Sequence, residues 1–525
     1  MRPAACSGLR AERNSDCRPR GSSSGVARAD FNGDGFGDLA IGAPAEDVVV
    51  GTFIAPQAGQ VSILYGSSTG LLDTGNQIFN QNSPNILESA EANDRFGDAL
   101  AAGDFDGDGR SDLAIGAPGE DLGTITDAGA VNVLYGTAGG LSSARNQLFH
   151  QDTLGILDPA EAGDSFGESL AWGDFGRGSQ GDLVIGVPLE DSVSSVANAG
   201  FVAVLYGSSS GLTTSGNQFF SQGGTGDAAG ETGDTYGATL AAGNFGRSAE
   251  TDLAVGAPLE DRGSFVDVGA VRVIYGSPNG LVTPGDQFLF QSGTITEFDQ
   301  NDRFGSAFAA GDFDADSRAD LAVGVPREDV GGDDNAGQVN ILYGSSTGIS
   351  ARGQILTQDT TSVPGDTEGD DRFGEALAAA NFGNGAAADL AVGSPGEDSS
   401  LSFSGLESSN VGSVTVLYGT GASLLTGTGS QSFHEDSDGV GGSRDAGDAF
   451  SSALTAWNFG AGAEADLAVG VPGEGVDGED DAGSVNVLYG SSSGLRGPGS
   501  QRWTQNSPGL LDQSESGDRF GAALY

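Results

Sequence analysis

The sequence predicts an all-β fold: a seven-bladed β-propeller of four-stranded blades, with the ring closed by the C-terminal strand. Two observations predict it. One cassette recurs seven times in the 525 residues, and each copy contains four short runs of strand character. The cassette is an Asp–aromatic–Gly box, an acidic loop and a Gly-Ala-Pro-like turn, and it returns after about 70 residues. The acidic loops begin at Asp30, Asp104, Asp174, Asn244, Asp312, Asn381 and Asn458.

Each repeat divides into four runs bounded by Gly, Asp, Asn and Pro. In the second unit the runs span residues 96–103, 112–117, 130–135 and 146–150. The third run alternates through Val131, Val133 and Tyr135, which is typical of a half-buried strand. Four strands per unit, repeated seven times about an axis, give the propeller.

Three sets of aromatic residues recur once per unit, and we expect them to pack blade against blade. The first set lies in the box: Phe96, Phe166, Tyr236, Phe304, Phe373, Phe450 and Phe520. The second set occupies position 2 of the acidic loop: Phe31, Phe105, Phe175, Phe245, Phe313, Phe382 and Phe459. The third set ends the third strand: Tyr65, Tyr135, Tyr206, Tyr275, Tyr343, Tyr418 and Tyr489.

The two ends of the chain predict how the ring closes. The first unit has half of its first strand, at 26–29, but Ser22 and Ser23 where Phe-Gly should stand, whereas the chain finishes on a box and half a strand at 518–525. We expect the C-terminal segment to complete the first blade; the alternative is a fragment cut inside an eighth unit. The predicted organisation is a tail at 1–25 and a propeller at 26–525, with blades at approximately 26–93 plus 518–525, 94–163, 164–233, 234–301, 302–370, 371–447 and 448–517.

Composition excludes several classes of partner. The formal net charge is −51, so phosphate backbones and anionic lipid heads repel the chain, and we expect no nucleic-acid partner. Apolar runs stay well short of about 18 residues, so the sequence predicts no transmembrane segment. The charge favours cations as partners, although it also suits a solvated surface adapted to salt.

The N-terminal tail differs from the repeats. It holds Cys6, Cys17 and several Arg, but it lacks the apolar run of a secretion signal. We interpret it as a disordered tail, a degraded targeting region or a misassigned start, and a Cys6–Cys17 disulfide is left open. The repeats contain no cysteine, which excludes a disulfide framework there.

Three of the acidic loops carry the residues of a calcium site. Ca²⁺ takes about six to eight oxygens in flexible geometry. The loop pattern offers side chains from positions 1, 3, 5 and 9 and the carbonyl of position 7, which predicts about three Ca²⁺ sites. Their ligands are Asp30, Asn32, Asp34, Phe36 and Asp38; Asp104, Asp106, Asp108, Arg110 and Asp112; and Asp312, Asp314, Asp316, Arg318 and Asp320. The fifth loop has Ser317 in place of Gly35 and Gly109, so we expect weaker binding there.

The other four loops lose acids at positions 3 and 5, and we expect no metal in them. Position 9 is Asp in all seven loops, which indicates a turn-closing hydrogen-bond acceptor that metal sites also use. Two further acidic sets recur in every unit and are interpreted as capping or inter-blade hydrogen-bonding groups. They are the box residues Asp94, Asp164, Asp234, Asp302, Asp371, Asp448 and Asp518, and, after the Pro turn, Glu46, Glu120, Glu190, Glu260, Glu328, Glu397 and Glu474.

The Phe-Gly box, the Asp-rich loop and the Gly-Ala-Pro turn closely resemble the FG-GAP repeat of the integrin α-subunit N-terminal propeller, over residues 26–525. Similar repeats occur in GPI-specific phospholipase D and in many bacterial surface and secreted proteins, and residues 116–121 resemble those of the bacterial-type members. The resemblance implies calcium loops on one face of the ring, ligands on the other, and an extracellular or cell-surface location. Unlike integrins, this chain has its metal loops in units one, two and five.

The expected function is that of a calcium-binding adhesion or protein-binding scaffold, monomeric and not an enzyme. It would bind a protein or glycan through loops of variable sequence at 48–58, 192–199, 399–410 and 436–444. The alternative is a secreted hydrolase, or its accessory propeller, as in the phospholipase D. Only His150 and His434, expected in outermost strands, are available as imidazoles, and there is no zinc signature or nucleophile elbow. A carboxylate site in the central channel is left open.

Overall fold

Seven antiparallel sheets of four strands form the protein in the computed structural model, which describes residues 29–156, 158–191, 196–223, 230–291, 299–350, 353–398, 409–419, 421 and 425–525. Every regular element in these ranges is a β-strand. In six sheets the strands neighbour one another in chain order, from the innermost to the outermost. Short turns therefore join them, as the repeat predicts. Among the described residues, no helix has the length and apolar character needed to cross a membrane.

The strands follow the repeat. The first two blades contain β1 (Leu39–Ala43), β2 (Val48–Val50), β3 (Phe53–Ala55), β4 (Gln60–Tyr65), β5 (Leu72–Phe79), β6 (Leu100–Gly103), β7 (Asp112–Ala117), β8 (Ala130–Thr137) and β9 (Gly140–Phe149). The third and fourth contain β10 (Ser169–Gly173), β11 (Asp182–Val187), β12 (Phe201–Tyr206), β13 (Thr213–Ser221), β14 (Thr239–Gly243), β15 (Asp252–Ala257), β16 (Ala270–Tyr275) and β17 (Val282–Leu289).

The remaining strands repeat the same order. The fifth and sixth blades contain β18 (Ala307–Gly311), β19 (Asp320–Val325), β20 (Gln338–Leu342), β21 (Gly353–Leu356), β22 (Leu377–Ala380), β23 (Asp389–Ser394), β24 (Ser413–Leu417) and β25 (Gln431–Phe433). The seventh contains β26 (Ala453–Trp457), β27 (Asp466–Val471), β28 (Ser484–Tyr489) and β29 (Arg496–Trp503), and β30 (Ala523–Leu524) ends the chain.

The core lies between blades. Seven hydrophobic clusters each join two neighbouring blades, and the cluster between blades one and two packs Val61 and Ile63 against Phe96 and Ile115. The box aromatics and the loop phenylalanines are all buried, as predicted. The strand-end tyrosines are buried in six blades, while Tyr343 is half-buried. Burial of apolar area at every seam is what holds the ring together.

The C-terminal strand closes the ring. β30 takes the innermost place in the sheet of β1, β4 and β5, with Leu524 opposite Ile41. The last residue continues the pairing, because the Tyr525 N–H donates to the Ala40 carbonyl at 3.0 Å. The Ala29 carbonyl accepts the Asp38 N–H at 2.5 Å, the contact that ends the innermost strand in other blades. The first blade thus combines both ends of the chain, which confirms the predicted closure.

Strand limits in the second unit differ from those predicted. The first strand begins at Leu100, because Phe96 and Gly97 lie in a turn where Gly97 has φ of +96°. The outermost strand runs from Gly140 to Phe149, longer than the predicted 146–150, since it pairs with β8 across a bulge between Val133 and Tyr135. The predicted features at 1–25, including Cys6, Cys17, Ser22 and Ser23, lie outside the described residues, as does most of 26–29.

Candidate metal loops and ligand face

The second acidic loop folds around its own carboxylates. Asp104 accepts the N–H groups of Asp108 and Gly109, each at 3.0 Å, through separate oxygens. Asp106 accepts the Asp108 N–H at 3.2 Å, and Asp108 accepts the Arg110 N–H at 2.9 Å. These bonds turn the side chains of positions 1, 3 and 5 toward one another, and carboxylate oxygens of all three lie within 4.8 Å. Oxygens gathered in this way are what a hard divalent cation requires.

The fifth loop repeats this arrangement. Asp312 accepts the N–H groups of Asp316 and Ser317 at 3.0 and 2.9 Å, and Asp314 and Asp316 complete a second group of carboxylates within 4.8 Å. Ser317 has φ of +72° and Ala315 has φ of +59°. A side chain is strained in this left-handed region, where the first two loops have Gly. The strain gives a physical reason for the weaker binding expected here.

The first loop has the same hydrogen bonds with an amide at position 3. Asp30 accepts the N–H groups of Gly33, Asp34 and Gly35 at 2.7 to 3.0 Å. Asn32 accepts the Asp34 N–H at 2.8 Å, as Asp106 does for Asp108 in the second loop. An Asn oxygen therefore stands where a carboxylate stands in the other two loops.

Position 7 holds Phe36, Arg110 and Arg318, whose carbonyls were predicted as ligands. Their N–H groups donate to the position 5 carboxylates at 2.9 Å in all three loops. Coordination through their carbonyls stays a prediction. The Arg110 and Arg318 guanidinium groups pair with the same carboxylates, at 3.1 Å to Asp108 and 2.9 Å to Asp316. These exposed pairs are weak and would yield to a cation.

The position 9 aspartates close the turn in every blade. One oxygen of Asp112 accepts the Phe105 N–H at 2.8 Å and the other accepts the Gly136 N–H at 2.9 Å. Equivalent pairs of bonds form at Asp38, Asp182, Asp252, Asp320, Asp389 and Asp466. Burial is the main cause that raises the pKa of Asp112 to about 8. The sevenfold presence of this residue thus reflects a structural role.

Three of the other loops have an amide side chain at position 1. Asn244 at position 1 accepts the Gly246 N–H at 3.2 Å and donates its own N–H to the Ser248 carbonyl at 3.1 Å. Asn381 and Asn458 make the same pair of bonds. The amide N–H of each Asn ties position 1 to the position 5 carbonyl, a bond that an ionised Asp at position 1 cannot donate. The absence of metal from these loops stays a prediction.

The opposite face carries the loops of variable sequence. Because strands alternate in direction, the connections from second to third strand lie at the end of each blade away from the acidic loops. In the first blade this connection is a hairpin, β2–β3, in which Val49 pairs with Ile54. Val49, Phe53 and Ile54 are 68%, 59% and 55% exposed, while Val48 and Ala55 anchor its base in a small buried cluster. Predicted variable residues 192–195 and 399–408 lie outside the described part of the chain.

The central channel is apolar. A cavity of about 210 Å³ is lined by the innermost strands, with Trp172, Leu240, Phe308, Trp457 and Tyr525 among its walls and no acid among the described residues that line it. A second cavity toward the acidic loops has Asp312 as its one described acid. His150 and His434 follow the outermost strands rather than lying in them, in different blades. The pairs of carboxylates used in glycoside hydrolysis have no counterpart in these described walls.

The recurrent Glu residues join neighbouring blades. In six interfaces a Gln at the end of one outermost strand donates to the Glu that follows the Pro turn of the next blade. The pairs are Gln81–Glu120, Gln151–Glu190, Gln222–Glu260, Gln291–Glu328, Gln358–Glu397 and Gln505–Glu46. This confirms inter-blade hydrogen bonding for six of the seven Glu residues, whereas Glu474 accepts from Arg502 of its own blade. The Gln partners were not predicted, although they recur in the sequence. Each lies two residues beyond the last residue of its outermost strand, except Gln222, which lies one residue beyond.

Comparison with known proteins identifies the repeat. The FG-GAP repeat model matches residues 23–64, 96–134 and 304–342. These segments contain the first, second and fifth acidic loops, the three with acids or amides at positions 3 and 5. The match thus falls on the same units that the loop geometry singles out.

Curated relatives match over part of their length. Phosphatidylinositol-glycan-specific phospholipase D of Rattus norvegicus is 39% identical over 31% of this chain and 18% of its own length. Integrin alpha-8 of Gallus gallus is 30% identical over 45% of this chain and 21% of its own. Integrin alpha-V of Gallus gallus is 33% identical over 37% of this chain and 17% of its own. The chain thus matches about a fifth of these relatives.

Proposed function

We propose, from the premise that this chain is an FG-GAP repeat protein homologous to integrin α-subunits and to phosphatidylinositol-glycan-specific phospholipase D, that it is a calcium-stabilised binding scaffold. In this proposal it acts as a monomer outside the cell or at the cell surface. It holds a protein ligand, or a glycoprotein through its protein part, on the face opposite the acidic loops. Calcium supports the fold and takes no part in catalysis.

The calcium part of the proposal rests on the three loops whose oxygens converge. Loops one, two and five share one hydrogen-bond pattern, and two of them hold three carboxylates within 4.8 Å. Crowded carboxylates repel one another, and a divalent cation removes that repulsion. Ca²⁺ at these three loops would therefore stabilise the ring, with the ligand sets around Asp30, Asp104 and Asp312 named above.

The single observation that carries the binding role is the β2–β3 hairpin. It presents three exposed aliphatic or aromatic side chains, Val49, Phe53 and Ile54, on a two-stranded arm whose base is fixed. The matching connections in blades two, four, five and seven are tight turns closed by single bridges such as Leu122–Ile125. Exposed apolar residues gathered on a rigid support are typical of an anchor for a protein partner.

The test uses the full chain with an array of purified extracellular proteins and glycans in the presence of Ca²⁺. We expect the parent to bind one or more arrayed proteins. The Phe53→Ser, Ile54→Ser variant should bind them at least tenfold more weakly, which corresponds to a loss of about 1.4 kcal/mol in binding free energy. Its calcium binding should be unchanged. Leu72→Ser, at the acidic-loop end of the same blade, is the control and should bind as the parent does. Equal binding by the hairpin variant would contradict the proposal.

The hydrolase alternative is kept because the rat phospholipase D is among the relatives. The apolar channel favours the scaffold, since the described residues lining it offer no pair of carboxylates. Turnover of an ester, phosphodiester or glycoside by the purified propeller, lost on substitution of Asp312, would establish the alternative. Absence of turnover with intact ligand binding is the expected result.

A further inference from the structure

One of the seven blade interfaces departs from the others. Six of them contain a Gln whose amide donates to the Glu of the next blade, and the seventh has Glu435 in that place. Its neighbour across the seam is Glu474, and Asp448 is the box residue beside them. A hydrogen-bond donor has therefore been exchanged for a third carboxylate at this seam.

The three carboxylates are buried together. Glu435, Asp448 and Glu474 are 2%, 2% and 4% exposed, and an oxygen from each lies within 4.8 Å of the others. Within the described part of the chain, neither oxygen of Glu435 has a hydrogen-bond partner, and one oxygen of Glu474 has none. Buried carboxylates are costly unless a counter-charge meets them. Glu435 is therefore buried beside two other carboxylates without a hydrogen-bond donor among the described residues.

We propose that Glu435, Asp448 and Glu474 bind a hard divalent cation such as Ca²⁺ between the sixth and seventh blades. Ca²⁺ holds its oxygens at about 2.3 to 2.6 Å, so opposite ligands stand about 5 Å apart, and the smaller Mg²⁺ brings them to about 4 Å. Carboxylate oxygens that lie within 4.8 Å of one another can share one ion of this kind. The site lies at the opposite end of the blade from the acidic loops and goes beyond the calcium role proposed for them.

The charge at this seam fits a divalent ion. Arg502 donates to one oxygen of Glu474 at 2.7 Å, which neutralises one of the three carboxylates. Its position in the outermost strand is occupied in other blades by Ile78, Leu148, Phe219, Phe288, Ile355 and Ser432. Of the three carboxylates, Glu474 is the one that forms an ion pair with Arg502 among the described residues. Two carboxylates are left, and a divalent cation carries the balancing charge. The competing arrangement is a proton held between the carboxylates.

The test is Glu435→Gln in the full chain, a substitution that copies the six other seams and so preserves the fold. Equilibrium dialysis with radioactive Ca²⁺ should show one bound ion fewer per chain than in the parent. Glu479→Gln, at an exposed residue of the seventh blade, is the charge-matched control and should bind as the parent does. The loop variant Asp106→Asn, Asp108→Asn should lose a separate ion, and the combined variant should lose both.

Thermal melting gives a second measure. In the presence of a chelator, the Glu435→Gln variant should have a higher melting temperature than the parent. The reason is that its amide donates to Glu474 and the substitution removes a buried charge. Added Ca²⁺ should raise the parent's melting temperature by more than it raises the variant's. An unchanged ion count in Glu435→Gln, whatever the loops bind, would overturn the proposal and leave the shared proton. The proposal would also be overturned if the loop variant lost bound ions and the Glu435→Gln variant did not.

Discussion

The backbone N–H of Leu71 in the first blade donates to the hydroxyl of Tyr489 in the seventh blade at 3.1 Å. The same phenol contacts Gln501, whose amide donates to the Leu71 carbonyl at 3.0 Å. Among the described residues, five of the six interfaces between consecutive blades have the same N–H to hydroxyl bond, as at Leu212 and Tyr135. The seam that closes the ring is thus built like the seams between blades that are consecutive in the chain.

This equivalence predicts matched losses of stability. Tyr489→Phe removes the hydroxyl that accepts the Leu71 N–H and donates to Gln501, while the Gln501 Oε1 still accepts the same N–H at 3.1 Å. The loss of these hydrogen bonds should lower the free energy of unfolding by about 1 kcal/mol. Tyr135→Phe should cost the same, and urea unfolding of both variants measures it. A closing seam that tolerated Tyr489→Phe while Tyr135→Phe was destabilising would show that the ring is not continuous.

A second prediction separates the structural aspartate from the metal ligands. Asp182 lies at position 9 of the third loop, where its oxygens accept the N–H groups of Phe175 and Gly207, each at 2.9 Å. Asp182→Ala leaves two donors unpaired and should destabilise the protein by about 2 kcal/mol or more. The number of bound Ca²⁺ ions should stay unchanged. A lower ion count in this variant would mean that the third loop binds metal.

The fifth loop predicts a stabilising substitution. Ser317 has φ of +72° where Gly109 of the second loop has φ of +90°. Ser317→Gly should therefore raise the free energy of unfolding by about 1 kcal/mol and tighten Ca²⁺ binding, because the left-handed conformation strains a side chain. Ser317→Ala keeps the strain and serves as the control. Calorimetric titration and thermal melting check both effects; equal affinities for the Gly and Ala variants would contradict the explanation.

The buried Glu set predicts how stability depends on pH. Burial, together with the nearby Asp94, raises the pKa of Glu120 from 4.5 to about 9. A raised carboxyl pKa means that the folded state holds its proton more tightly than the unfolded state. The contribution of Glu120 is therefore complete below about pH 4.5 and is lost as the pH rises through about 9. The free energy of unfolding of the Glu120→Gln variant should fall less between pH 5 and pH 9 than that of the parent, as measured by urea unfolding at both pH values. An equal fall in the two proteins would contradict this explanation.

The sequence predicted the repeat, the blade count, the closing strand and the three loops, because each depends on residues at fixed spacing. It missed details that depend on tertiary contacts. Phe96 and Gly97 look like strand residues, yet they form a turn because Phe96 must reach the core between blades. The sequence near Glu435 does not indicate what the exchange of Gln for Glu does. The consequence depends on the contact with Glu474 of the neighbouring blade, which only the fold shows. The hairpin at Val48–Val50 was expected only as a loop of variable sequence.

The central claim is that calcium occupies the loops that begin at Asp30, Asp104 and Asp312. The most direct measurement is an anomalous difference map from crystals of the full chain grown with Ca²⁺. We predict a peak inside each of these three loops and none at the loops of Asp174, Asn244, Asn381 and Asn458. Peaks at the four amide-closed or acid-poor loops, or a map without peaks at Asp104 and its two counterparts, would contradict the account.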